Sequence, residues 1–326
     1  MGAPTSHKAS GGNLRLIGLV ILAAIAAWPW FSGPFALHLA VLTCLNILVV
    51  NGLAIIARTG QLSFGHAAFA AIGAYAAVIL SIQAGWNILI AAVVGIALSA
   101  FAAFLLGWVI LRLKGVYFVL VTFSFGELTR LAALDWSELT GGANGIANIA
   151  PLTLFGFAFD TRLRFYVLAL VVAVLSLLLM RRLFSSNFGH AIDAVHENAA
   201  LAESSGLSVH KIQLVAFVVG SSLAALGGIL QARYIGFVSP ESFNTSVSVA
   251  YITMLVIGGQ RSVWGPLVGA LVLTPLPEFF RGAVQTQHIF YGAALILILR
   301  FLPGGLASLA TRFRRARAGA AQGEAQ

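Results

Sequence analysis

The stretch SSNFGHAIDAVHENAALAESSGLSVHK, residues 185–211, is the only long polar interruption among the apolar segments that fill the second half of the chain. In so apolar a chain, such a segment persists only where water or a partner solvates it. Within it, Ile192, Val195, Ala199 and Ala202 recur at spacings of three and four. This predicts a helix with one small apolar face and with Asp193, Glu197, Asn198 and Glu203 on the others. Gly206 ends the pattern as a C-terminal glycine does, and Ser208 is placed to cap the next segment through its hydroxyl. The unit reads as helix, glycine turn, new helix. Taken alone, it fits a solvated connector and a docking element for a second protein equally well.

The flanking sequence decides what this segment interrupts. Of 326 residues, 60% are apolar and 9% charged, and the mean hydropathy is +0.96, too little polar surface to coat a soluble globule. A hydrocarbon core of about 30 Å takes roughly 20 apolar residues per helix, which predicts an all-α polytopic membrane protein of about ten transmembrane helices. The short alternating segments of a membrane barrel are absent. Before the loop, spans are expected at Leu14–Phe31, Phe35–Ala57, the helix following RTGQLSF, Trp86–Leu111, Val116–Leu134 and Phe165–Met180. After it come Ile212–Tyr234, Ser246–Ile257, a ninth running to Phe280 that Pro275 and Pro277 should kink or break, and Ile289–Leu302. The chain thus divides into a tail (1–13), a membrane domain (14–305) with polar loops at 135–164 and 184–211, and a basic tail (306–326).

Small residues mark where helices approach closely in lipid: Ala67, Ala70, Gly73, Ala74 and Ala77 in the third span, and Gly220, Ala224 and Gly228 in the seventh. Glu127 and Arg130 share a face of the fifth span and are placed to pair, which fits an intramembrane charge site and, with Asp135 and Glu138 close behind, a wet end near the interface equally well. The net charge of +9 sits at the ends of apolar segments, which reads as a topology signal and not as a nucleic-acid surface. With both termini cytoplasmic, only Arg130, Arg162, Arg164, Arg233 and Arg281 lie outside, leaving 14 of the 19 lysines and arginines inside. The 184–211 loop is then cytoplasmic. The glycine-rich 135–164 loop faces outward and is longer than a simple connection requires.

Chemistry on this chain is sparse. The lone Cys44 lies in an apolar run, excluding an intrachain disulfide and a CxxC site. The histidines form no HExxH pair, so no metal site is expected. None of Lys8, Lys114 and Lys211 follows a glycine, so there is no GxxxxGK[ST] phosphate loop and ATP, if used, is bound by another chain. No catalytic dyad or triad is visible, and no cofactor on this chain is expected.

Several segments together carry a resemblance: GQLSFGHAAFAAIGAY (60–75), LKGVYF (113–118), TGGANGI (140–146), the polar loop, FVSPESF (237–243) and GGQRSVWGP (258–266). In this order, across roughly residues 35–305, they resemble the LivM-like permeases of branched-chain amino-acid ABC importers. The resemblance implies an ABC importer permease fold in the bacterial inner membrane. Its implied partners are a second, LivH-like permease, two cytoplasmic ATP-binding subunits carrying ATP and Mg, and a periplasmic substrate-binding protein. The implied cargo is a branched-chain or related hydrophobic amino acid, although similar permeases carry urea, amides or aromatic acids. By the same resemblance the 184–211 loop is the ATPase-coupling loop. An EAAxxxG pattern falls on Ala200, Leu201, Ala202 and Gly206, with Ala200 standing where the pattern is acidic. Glu197 and Glu203 are the available substitutes, and Asp193 lies in the same loop. Gly60, Gln61, Ser63, Gly65, His66 and Gly73 are expected in the translocation path or in helix packing, and Thr140, Gly141, Gly142 and Gly145 at a periplasmic gate or binding-protein contact. Arg261 stands where the family more often has a small residue. Two other classes make different demands. An ion-coupled transporter needs acidic residues near the midplane, where only Glu127 and Glu278 are candidates, and a membrane enzyme needs a convergent polar site.

One test follows from the missing phosphate loop. The purified chain, freed of contaminating ATPases, should neither bind nor hydrolyse ATP; measurable turnover in a coupled phosphate-release assay would contradict the assignment of ATP to partner chains.

Overall fold

The computed structural model describes residues 32–279 except Phe155, together with the isolated positions 29, 30, 292 and 306. Apart from those isolated positions, the tail at 1–13, the expected spans Leu14–Phe31 and Ile289–Leu302, and the tail at 306–326 lie outside the described residues. The helices are α1 (Gly33–Ala57), α2 (His66–Ile82), α3 (Ile88–Ile110), α4 (Val116–Asp135), α5 (Ser137–Thr140), α6 (Arg162–Phe184), α7 (Asn187–Glu197), α8 (Ala199–Ser204), α9 (Val209–Ile235), α10 (Thr245–Gly258), α11 (Gly265–Leu273) and α12 (Leu276–Phe279). Capping residues set several starts: Asn87, Thr161 and Asn244 accept the amide hydrogens of Leu89, Arg164 and Val247.

Among the described residues, α1, α3, α4, α6 and α9 are long and apolar enough to cross a membrane. The 17 residues of α2 reach only about 25 Å. In the non-helical stretch before it Thr59, Gln61 and Ser63 are buried, as irregular backbone near a membrane must be. The expected spans at Ser246–Ile257 and up to Phe280 correspond to two short helices. Helices α10 and α11 have 14 and 9 residues, each fewer than the roughly 20 of a full span, and they fold back on each other as a hairpin. Gly258 meets the backbone of Gly265, and Gly269 that of Met254. The break expected from the prolines falls at Thr274–Pro275.

At the centre, α9 packs on α1, α2 and α3, while α6 covers the other side of α1. Lipid tails are as apolar as leucine, so burial alone does not bring such helices together; close backbone approach and interhelical hydrogen bonds do. Gly220 of α9 abuts Gly52 of α1 backbone to backbone, and Gly228 abuts the carbonyl of Ala70 on α2. A Cβ on Gly73 would stand 2.6 Å from the Cβ of Ala225. Polar side chains tie the same helices: Asn51 Nδ2 donates to Ser176 Oγ at 2.8 Å and Ser99 Oγ to the Phe69 carbonyl at 3.0 Å. By contrast, α3 and α4 expose Phe101, Leu105, Val109, Val116, Tyr117 and Leu120, an apolar surface suited to lipid or to another membrane protein.

Short strands organise the end opposite the polar loop. There β1 (Ile146–Ala147) pairs antiparallel with β4 (Phe237–Val238), and β2 (Thr153–Leu154) with β3 (Phe157–Ala158).

The α2–α9 contact is open to test. Gly228→Val puts a branched side chain into the Ala70 backbone and should destabilise the bundle by about 1–3 kcal/mol, read as a lower thermal midpoint of the detergent-purified chain. Gly126→Ala, whose added methyl would meet Gly65 Cα at an ordinary 3.4 Å, should leave the midpoint nearly unchanged.

Candidate functional site

The polar loop folds as two helices, not the single helix that its periodicity predicts. Asn198 is extended (φ −155°, ψ 99°), ends α7, and accepts the Leu201 amide hydrogen at 3.0 Å to start α8. The local preference of asparagine for its own backbone overrides the apolar period. At the entrance, Ser186 caps α7 through the Gly189 amide. At the exit, Gly206 (φ +87°) closes α8 with a Schellman pair, Leu207 N to Ala202 O and Gly206 N to Glu203 O, both 3.0 Å. Ser208 precedes α9, but its side chain makes no capping bond, correcting that expectation.

The small face of this hairpin turns into the chain's own bundle: Ile192, Val195 and Ala202 are buried in its hydrophobic core. Outward stand Glu197, Ala200, Glu203 and Leu201, the last 64% exposed. Asp193 does not stand free either. Arg58, at the end of α1, grips it with Nε and Nη2 at 2.6 and 2.8 Å, and the same guanidinium lies 4.0 Å over the Phe184 ring at the end of α6. Three elements therefore meet on one cation. The Arg58 hydrogen bonds hold the Asp193 carboxyl below the usual aspartate range against the effect of burial, with the charges of Arg58, His190 and His196 adding to it.

Beside this ion pair lies a cavity of about 220 Å³ lined by Ala57, Arg58, Asp193, His196, Glu197, Gln260 and Arg261. Arg261 thus faces the hairpin from the loop between α10 and α11. Gly60 abuts His196, and Gln61 Nε2 donates to the Leu113 carbonyl at 3.2 Å, so the 60–65, 113–118, 185–211 and 258–266 segments converge at this end. The other residues singled out near position 60 pack between helices. Gly65 abuts the Thr122 backbone, His66 Nε2 bonds the Val49 carbonyl at 3.0 Å, and Ser63 is fully buried.

At the opposite end, Thr140 Oγ1 donates to the carbonyls of Ala133 and Trp136 at 2.6 and 2.7 Å, and its oxygen accepts from Gly142 N. Gly141 and Gly142 turn the chain. Gly145 (φ +64°) fits against Val238 and Ser239, where a Cβ would collide. The pair expected on the fifth span forms: Arg130 Nη2 reaches Glu127 at 2.5 Å, and Nη1 reaches Glu241 at 2.7 Å. Sequence reasoning missed the Arg58–Asp193 clamp, the β1–β4 pairing and the role of Glu241. For the clamp a signal existed, a basic residue ending one span and an acidic one in the polar loop.

These features define a multi-pass helical membrane protein with a polar hairpin docked under one end of its bundle. A family profile described as branched-chain amino acid transport system / permease component matches residues 35–299. The high-affinity branched-chain amino acid transport permease LivM of Escherichia coli is 32% identical over 96% of this chain and 79% of its own length, and LivM of Salmonella typhimurium matches to the same extent. LivH of Escherichia coli is 25% identical over 76% of this chain and 85% of its own length. No solved structure matches. The chain belongs to the branched-chain amino acid transport permease family.

The clamp predicts a pH-dependent contribution. Because the folded-state value of Asp193 is lowered, its stabilisation is complete above the ordinary aspartate range and is lost as pH falls through that lowered value. Asp193→Asn should lower the thermal midpoint at pH 7 by the equivalent of about 1 kcal/mol or less, as suits a partly exposed pair. The gap from the parent chain should shrink below about pH 4. A gap that holds constant into acid would show that the pair is not its source.

Proposed function

We propose that the chain is the membrane-spanning subunit of an ABC importer in the bacterial inner membrane. It carries branched-chain or related hydrophobic amino acids inward, driven by ATP and Mg on two separate cytoplasmic subunits. A second, LivH-like permease completes the membrane domain, and a periplasmic binding protein delivers the cargo. The similarity to both LivM and LivH supports a pair of related permeases. In this reading both termini are cytoplasmic, about ten helices cross the membrane, and the α7–α8 hairpin is the coupling element.

The observation that carries the reading is the hairpin's construction. It is rigidly joined to α6 and α9, clamped to α1, and still offers an outward face of Glu197, Ala200, Leu201 and Glu203. When the ATPases close, force on that face passes into α9, the helix that contacts α1, α2 and α3, and packed elements shift between two arrangements. Thr140, Gly141, Gly142 and Gly145 belong to the outer gate or binding-protein contact, and Gly60 to Gly73 to the packing around the moving helices. An ion-coupled mechanism is less well supported, because Glu127 is already ion-paired with Arg130.

The test separates docking from folding. Leu201→Asp removes an exposed apolar contact and should reduce co-purification of the ATPase by about tenfold or more, with leucine uptake falling in parallel and the thermal midpoint unchanged. Ala202→Trp, buried in the bundle, should instead lower the midpoint. Full ATPase retention and uptake with Leu201→Asp would remove the hairpin's outer face from the coupling role.

A further inference from the structure

At the end opposite the hairpin, a cavity of about 420 Å³ opens between the N-terminal parts of α1 and α6, the last turn of α9 and the chain from Ile149 to Thr161. Its size suits a small organic ligand. Arg233 of α9 lines it and is only 5% exposed. Nη1 donates to the Ala150 carbonyl at 3.1 Å, Nη2 donates to the Ser81 hydroxyl, and Nε has no partner. Among the described residues no carboxylate lies within ion-pairing distance of this guanidinium. The chain treats its other partly buried arginines differently, giving Arg58 an aspartate and Arg130 two glutamates. Burying a cation without a counter-charge is costly, so an anion supplied from outside would be strongly favoured there.

The rest of the cavity narrows the choice of anion. Phe159 and Phe165 form an apolar wall, Tyr234 presents a hydroxyl that is hydrogen-bonded to His38 Nδ1 at 2.8 Å, and Asp160 stands at the rim with one oxygen on Arg164 at 2.9 Å, beside Arg162, whose Nη1 donates to the Pro34 carbonyl at 3.3 Å. A buried cation, a rim that carries Asp160 as well as Arg162, and aromatic surface in the same lining complement a zwitterion with an apolar side chain. A phosphate or a simple fatty acid would gain nothing from Asp160.

We propose that this cavity binds a free α-amino acid, its carboxylate on Arg233, its ammonium at Asp160 and its aliphatic side chain against Phe159 and Phe165. The proposal rests on the amino-acid import reading above and adds a binding site on the permease itself, at the end facing the binding protein. Tyr234 and His38 shape its floor.

Equilibrium binding of radiolabelled leucine to the full chain in phosphatidylcholine nanodiscs tests it. Saturable binding should be displaced by isoleucine and poorly by leucinol, which lacks the carboxylate, or by 4-methylpentanoate, which lacks the ammonium. Arg233→Gln should weaken binding about tenfold or more, and Arg233→Lys should recover part of it. Asp160 is half exposed, so Asp160→Asn tests the rim without threatening the fold and should weaken binding several-fold. Absence of saturable binding by the parent chain, or equal binding by parent, Arg233→Gln and Asp160→Asn, would overturn the site. Displacement of leucine by phosphatidylglycerol discs would overturn it in favour of a lipid headgroup. Uptake in cells that lack and regain the chain keeps the two readings apart. If uptake requires the chain but its KM is unchanged in both variants, the site alone falls. If uptake does not require the chain, the import reading falls as well.

Discussion

The close approach of backbones along α9 is the constraint on which the rest depends. Between helices in lipid there is little hydrophobic gain, so the bundle holds only where glycine and alanine let main chains touch and buried polar groups find partners across the gap. Gly220 against Gly52 and Gly228 against Ala70 place α1 and α2 on two sides of one helix. Such contacts tolerate no added side chain, and they transmit displacement without slack. This is why a hairpin joined to the start of α9 has leverage over the whole interior.

The two polar helices belong to that same interior. Their small residues, which look from the pattern like a surface made for a partner, are the seal between hairpin and bundle. The exposed face is the less regular one, with Leu201 among acidic residues. Arg58 is central to this arrangement, since one guanidinium satisfies Asp193 and covers Phe184, fixing the ends of α1 and α6 to α7.

Much of the fold was legible in the sequence, because hydropathy over 20 residues and the spacing of small residues report directly on membrane crossing and helix contact. The long spans, the central position of α2 and α9, the Glu127–Arg130 pair and the turn at Gly206 follow from such local signals. The failures share a cause. Asn198 broke a helix because a side-chain-to-backbone bond outweighed periodicity. The Arg58–Asp193 clamp and the cavity at Arg233 join residues far apart in the chain, which periodicity cannot bring together. The resemblance singled out these segments, but it could not say that four of them meet around the hairpin.

The pairing of β1 with β4 involves only two residues on each strand, Ile146 with Val238 and Ala147 with Phe237. It nevertheless staples the loop after α4 to the loop after α9, and Arg130 adds a second staple to Glu241 a few residues further on. The ends of α4 and α9 away from the polar hairpin therefore cannot drift apart independently. Tilting one against the other must carry the whole cap along or unzip a strip of backbone hydrogen bonds, so the cap behaves like a latch across these two helix ends.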